Sequence, residues 1–253
     1  MTPSPGDEPT GDSAADERHP RSRLNPAKIR AGLRRRWFQR ELERTPMQDV
    51  DGLVLLGNPH YGGWIVPGDL IGPSWLCYSV GAGGETSFDM ELIDRYGMTV
   101  RSIDPVAEYV QKAIEDAHGD PRLSTHQAAI ATVDGPLRMQ ITHDPRSNSV
   151  SAAGLYDSHS YVEYPGRTLA SLTSELGDDR IDLLKLDIEG GEYAVVPTLD
   201  LNALGVKVFA MQMHHTGSVR EARQLIAGLA EQGFAPVAHH PAVKITFARR
   251  DLI

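Results

Sequence analysis

The sequence has one cysteine, Cys77, in 253 residues. That excludes an internal disulfide framework and any multi-cysteine zinc site. No apolar run approaches the roughly 20 residues of a membrane span, and the polar N-terminus lacks the apolar core of a secretory leader. The bulk composition, 40% hydrophobic and 23% charged, excludes the biased classes and leaves an ordinary soluble protein, for which a cytoplasmic location is expected. The length suits one α/β domain with extensions. None of this separates an enzyme from a binding domain.

Charge is unevenly spread. Residues 18–44 carry ten basic side chains and two acids, so the remaining chain, with 15 basic and 32 acidic residues, has a formal charge of −17. A basic arm on an acidic body can bind nucleic acid or another anionic surface. The preferred reading is a basic helix over 24–50 that docks its arginines on the chain's own acidic body. Leu33, Trp37, Phe38 and Leu42 form a helical apolar stripe that needs a partner surface. Residues 1–23, with almost no large apolar groups, are expected to be a disordered tail, and residues 51–253 the functional domain.

Beyond the arm, strand-like and helix-like segments alternate. "WLCYSVG" (75–81), "MTVRSID" (98–104), "LSTHQAAIA" (123–131), "IDLLKLDIEGGE" (181–192), "VKVFAMQMHH" (206–215) and "VKITFARR" (243–250) are predicted to contain strands. Helices are predicted over 87–97, 106–119, 167–177 and 218–233. The last is the clearest, with a Ser218/Glu221 capping box and a stop at Gly233. Residues 132–166 show no clear pattern beyond a strand near "RMQIT". The alternation predicts a doubly wound, mostly parallel α/β sheet covered on both faces, with an N-terminal helical extension.

In such sheets ligands bind beyond the carboxyl ends of the strands. "CYSVGAGGETSFD" fits that place, because Gly81, Gly83 and Gly84 remove side chains where a strand turns into its helix. Some 22 residues on, Asp104 closes the second strand, where an acid accepts hydrogen bonds from ribose hydroxyls. A dinucleotide fingerprint would require Gly where Thr86 stands, and Glu85 sets a negative charge near a pyrophosphate position. S-adenosylmethionine, which has a sulfonium and no phosphate, suits that charge better than NAD, FAD or ATP.

"YSVGAGGETSFD", "VRSIDP" and "IDLLKLDIEGGEYAVVPTL" together resemble the FkbM-type class I methyltransferases, over roughly residues 55–250. The family's KxDxEGxE pattern is matched by Lys185, Asp187, Glu189, Gly190 and Glu192, while Gly84 and Glu85 depart from its first motif. "YGGWIVPGDL" (61–70) is similar to the lead-in of some relatives. The resemblance implies a Rossmann-like seven-stranded sheet whose last strand is antiparallel. It also implies methyl transfer from S-adenosylmethionine, most often to a hydroxyl of a small molecule such as a natural product or sugar.

The expected cofactor contacts are Tyr61, Gly81, Gly83, Glu85, Ser87, Asp104, Ala129, Ile130 and Asp187. Asp187, Glu189 and His214 are the expected catalytic residues, one of them acting as the base that takes the acceptor's proton. The competing reading makes Glu189 and Glu192 helix caps, Tyr61 and Trp64 packing groups, and Cys77 an inert core residue. His239 and His240 are expected in a loop. A divalent ion, as in some class I O-methyltransferases, would find one oxygen on Asp187 and one nitrogen on His214 or His215. Magnesium prefers oxygen-rich sites, so no metal ligand is assigned. The expected partner is a small-molecule acceptor, with no membrane and no nucleic acid, and a homo-oligomer is left open. Two alternatives stand: a nicotinamide-dependent oxidoreductase on a similar fold, and a non-catalytic module that binds a ligand or nucleic acid.

Overall fold

The computed structural model of the protein describes residues 26–143, 148–156, 158–240 and 243–253, so the expected tail at 1–23 lies outside the described residues. In chain order the first elements are α1 (Pro26–Leu42), β1 (Leu53–Leu56), β2 (Trp64–Pro67), β3 (Leu76–Val80), α2 (Ser87–Tyr96), β4 (Thr99–Asp104), α3 (Ala107–Asp116) and β5 (Leu123–Gln127). There follow β6 (Ala129–Ile130), β7 (Gly135–Ile141), β8 (Val150–Ser151), β9 (Tyr161–Arg167) and α4 (Leu169–Leu176). The chain closes with β10 (Leu183–Leu186), α5 (Glu192–Val195), β11 (Val208–Gln212), α6 (Val219–Glu231), β12 (Phe234–His240) and β13 (Lys244–Arg249).

Seven strands form one sheet in the order β12-β13-β11-β10-β3-β4-β5. Strands β11, β10, β3, β4 and β5 run parallel, and the last strand, β13, is antiparallel to both of its neighbours. This is the doubly wound α/β architecture expected from the alternation. The run "LLKL" becomes β10 at the centre of the sheet, buried on both faces. Helix ends follow the local chemistry. Gly97 and Gly177 adopt left-handed conformations at the ends of α2 and α4, and the Ser218/Glu221 capping box is present at α6.

Three expectations are corrected. The stretch 123–131 is not one strand: β5 ends at Gln127, and Ala129–Ile130 joins a second, four-stranded sheet, β6-β9-β7-β8. That sheet occupies much of the uninterpreted 132–166 region and packs a small core of Val106, Ala129, Met139 and Val150. His239 and His240 lie in the edge strand β12, not in a loop. Pro236 masks that strand in the sequence; it is tolerated because β12 is an edge and its register shifts between Pro236 and Ala238. The Pro236 carbonyl accepts the Gln48 amide at 2.7 Å.

The arm also differs from expectation. Helix α1 packs on α6 through buried Phe38 and Leu42. Each such burial stabilises by about 1.5–3 kcal/mol relative to exposure. The ion pair between arm and body runs in the opposite sense, from Arg223 of α6 to Glu41 of α1 at 2.7 Å. Trp37, Arg35, Arg36 and Arg40 are exposed. Among the described residues no helix is long and apolar enough to cross a membrane.

Candidate active site

The turn after β3 is shaped by two glycines that serve different ends. Gly81 has φ +75°, and a Cβ there would overlap the carbonyl oxygen of Asp187, because the ends of β3 and β10 touch. Gly83 has φ +61°, yet a Cβ there would meet nothing within 4 Å. The first glycine lets two strand ends close on one another; the second leaves bare backbone beside open space. Asp104 secures the turn. Its Oδ2 accepts the Gly83 amide at 3.0 Å and its Oδ1 the Val106 amide at 2.9 Å. Burial raises its pKa against those two donors, which lower it. Lys185, reaching across from β10, donates to the carbonyls of Val80 and Gly81.

This turn forms one wall of a cavity of about 660 Å³. Of the expected cofactor contacts, Tyr61, Gly81, Gly83, Glu85, Asp104, Ala129, Ile130 and Asp187 line it, as does Glu189. Ser87 does not; its hydroxyl instead accepts the Asn58 amide at 2.7 Å, pinning the loop before β2. Tyr61 stands at the mouth, 69% exposed, while Trp64 is core, packed against Phe88. Cys77 is buried inside β3. The four-stranded sheet closes the far side through residues 129–139, Val150, Ala152 and Ala153, a wall that irregular sequence around Gly135 and Pro136 concealed.

The opposite wall is acidic. Asp187 follows β10, and Glu189 comes two residues later with φ +50°, a left-handed conformation that a non-glycine residue rarely adopts. The Ser151 hydroxyl holds it there by donating to the Glu189 carbonyl at 2.6 Å. Behind the two acids lies His214, its side chain 10% exposed. Its Nε2 is 3.4 Å from Glu189 Oε2 and 3.8 Å from Asp187 Oδ1. Its Nδ1 lies 2.9 Å from Glu192 Oε1, and since a carboxylate only accepts, Nδ1 donates. The Tyr193 hydroxyl donates to the His214 carbonyl at 2.8 Å. His214, not His215, therefore joins Asp187 and Glu189, but it sits one layer behind the cavity surface rather than facing it as expected.

Electrostatics follow from this packing. Burial alone would lower the His214 pKa, but the hydrogen bond and charge of Glu192, followed by the charges of Asp187 and Glu189, raise it to about 9. Burial raises the Glu189 pKa, and the Asp187 charge adds to this against the opposing pull of His214. Three buried carboxylate oxygens here have no hydrogen-bond partner: Glu85 Oε2, Asp187 Oδ1 and Glu192 Oε2. Glu192, which the sequence offered as a helix cap, does accept the Ile188 and Gly190 amides, but it is wholly buried and also orients the histidine.

No sequence pattern singles out Lys244. It opens β13 opposite Gln212, donates to the carbonyls of Tyr61 and Gly63 at 3.1 Å each, and lies over the Trp64 ring. Burial lowers its pKa to about 8. Both lysines in the cavity wall are thus committed to backbone carbonyls, while Glu85 Oε2, Asp187 Oδ1 and Glu192 Oε2 have no hydrogen-bond partner among the described residues.

The methyltransferase FkbM domain model matches residues 81–236. The chain belongs to the FkbM methyltransferase domain family. The match spans the glycine turn, Asp104, the four-stranded sheet and the acidic wall, so every element of this FkbM site except the 57–64 loop and Lys244 lies within it. No curated protein sequence matches the chain. Among solved structures, it is similar to M. capricolum TrmK in complex with S-adenosyl-homocysteine, at 8% identity and a TM-score of 0.41, covering 72% of this chain and 65% of that one. It is also similar to the Methanococcus jannaschii fibrillarin pre-rRNA processing protein, at 12% identity, TM-score 0.43, 78% of this chain and 71% of that one. The METTL16 MTase domain matches at 8% identity, TM-score 0.42, 89% of this chain and 68% of that one. The chain thus spans just under two thirds of the TrmK structure it matches.

Proposed function

We propose that this FkbM protein transfers a methyl group from S-adenosylmethionine to a hydroxyl of a small molecule. The observation that carries the reading is one cavity with bare backbone at Gly83 on one side and the carboxylates of Asp187 and Glu189 on the other. The residues present suit a cationic, phosphate-free nucleoside. A side chain at Gly83 would project into the cavity, an unpartnered Glu85 oxygen lines it, and both nearby lysines are occupied. Asp104 would hold the ribose through the second lone pair of each oxygen, since one amide already occupies each.

When bound, the cofactor supplies a methyl carbon made electrophilic by its sulfonium. The protein's part is to hold the acceptor oxygen in line, which supplies much of the rate gain. Asp187 and Glu189 draw off the hydroxyl proton as the oxygen–carbon bond forms. His214, held by Glu192 and Tyr193, sets a positive charge behind both carboxylates. The four-stranded sheet and the 57–64 loop wall the cavity from bulk water, in keeping with a small acceptor rather than a polymer.

Labelled S-adenosylmethionine incubated with the protein and a metabolite extract, followed by mass spectrometry, should show one acceptor heavier by a single methyl group. Calorimetry should show S-adenosylmethionine bound more tightly than NADH. Transfer only to added RNA, or tighter NADH binding, would overturn the reading.

A further inference from the structure

We propose that Asp187, Glu189 and His214 Nε2 hold a divalent first-row transition-metal cation of the manganese or zinc type. The inference rests on the methyltransferase reading only for what the ion would do, not for whether it binds.

The three side chains each offer one ligand atom, and these atoms all lie within 4.8 Å of one another. Separations of 3.4 and 3.8 Å from His214 Nε2 to the two carboxylates are too long for hydrogen bonds. They are the size spanned by ligands that share one ion at about 2.0–2.4 Å. Proximity alone would not make a site. The second observation is the arrangement behind it. Glu192, wholly buried, accepts a hydrogen bond from His214 Nδ1 and so fixes the ring with Nε2 near the two acids and 3.2 Å from the Gln212 amide nitrogen. Metal-binding histidines are commonly oriented in this way by a carboxylate.

The unpartnered oxygens point the same way. Asp187 Oδ1, the atom that faces Nε2, is buried without a hydrogen-bond partner, as is the second oxygen of Glu192. Three carboxylates surround one imidazole, and Lys244 and Lys185 are already turned to carbonyls. Among the described residues the cluster therefore sets three carboxylates against one imidazole, an excess of acidic groups. The left-handed backbone at Glu189, held by Ser151, places its carboxylate in the cluster at a conformational cost.

The ligand chemistry selects the ion. Two carboxylate oxygens and one imidazole nitrogen suit manganese, iron, cobalt or zinc, whereas magnesium favours all-oxygen, largely hydrated surroundings. Because Asp187 and Glu189 line the cavity while His214 backs them, the open coordination positions face the acceptor. A hydroxyl bound there loses its proton more readily. Each carboxylate ligates through one oxygen, and the second oxygen of Glu189 receives that proton.

The test uses the full chain stripped by chelator and titrated with Mn²⁺, Co²⁺ or Mg²⁺ without any other ligand. Electron paramagnetic resonance and calorimetry should find one Mn²⁺ per chain, bound at least tenfold more tightly than Mg²⁺. Co²⁺ should show visible absorption typical of mixed nitrogen and oxygen ligation. His214→Gln and Glu189→Gln should each weaken Mn²⁺ binding by tenfold or more. Glu192→Gln, which keeps an acceptor for Nδ1 but removes the charge that raises the basicity of the imidazole, should weaken it by about 10-fold to 100-fold. Thermal melts followed by circular dichroism identify any variant that fails to fold, and wild-type stoichiometry decides the matter on its own. Less than one ion per chain at millimolar Mn²⁺, or equal affinity in a folded His214→Gln variant, overturns the proposal. Cofactor binding to the stripped protein is measured separately. Absent cofactor binding with the ion bound would sink the methyltransferase reading alone, while full transfer with no ion bound would sink the metal site alone.

Discussion

The two walls of the cavity were built by opposite rules. On the glycine side, polar groups meet partners within the protein: each Asp104 oxygen holds an amide, and Lys185 holds two carbonyls. On the acidic side, Asp187 and Glu192 keep unpartnered oxygens, and Glu189 occupies an unfavourable backbone region. The first wall is what folding produces when hydrogen bonding is satisfied. The second is held in place by its neighbours despite its own preferences, as is common where a ligand completes the bonding.

The sharpest break of that contrast is Glu189→Gln. Removing the charge from the strained wall should lower kcat by about 10²–10³-fold while leaving the denaturation midpoint nearly unchanged. An unchanged kcat would remove Glu189 from the chemistry. Glu189→Gly goes further, because glycine accepts the left-handed conformation; it should raise stability by about 0.5–1 kcal/mol while activity is lost. Function and stability would then be opposed at a single residue.

Gly81→Ala tests the settled wall. Its Cβ would strike backbone rather than a movable side chain, so urea denaturation should show a loss of about 3 kcal/mol or more. Gly83→Ala, two residues on, is the control: strain of about 1–2 kcal/mol from its positive φ and no clash. Calorimetry should show weaker S-adenosylmethionine binding in Gly83→Ala with the fold retained. If both variants behave alike, the two glycines do not have separate roles.

Glu85 and Asp89 both break the rule on the settled wall, and Asp89 is the more deeply buried. It is fully buried, its Oδ2 has no partner, and burial raises its pKa to about 6 against the pull of Lys185 and the Ser79 and Ser102 hydroxyls. A raised carboxyl pKa favours the protonated folded state, so its contribution is present at low pH and lost as pH rises through about 6. Asp89→Asn should therefore be the more stable protein at pH 7.5, by about 2–3 kcal/mol. The advantage should fade below pH 4. Equal stability of the two proteins at pH 7.5 would contradict this.

What the sequence disclosed depended on how local the signal was. Gly97 and the Ser218/Glu221 pair act within a few residues of themselves, and their placement matched. The four-stranded sheet was hidden because β7 and β9 carry Pro136, Pro165 and Gly166 and bury little. Strand β11 ends at Gln212, so His214 and His215 do not alternate as strand residues. Ser87 was assigned to the cofactor from its position in a motif, whereas the structure gives its hydroxyl to Asn58. Lys244 and Glu192 owe their roles to partners distant in sequence, and no nearby pattern announces such pairings.

The outer strand β12 has a consequence for how these molecules meet one another. A neighbouring chain seeking to extend the sheet would find a proline ring with no donor at position 236, a carbonyl there already taken by Gln48, and a broken register one residue on. Stacking into filaments through that border is thereby discouraged by covalent structure, which neither salt nor a change of acidity can undo.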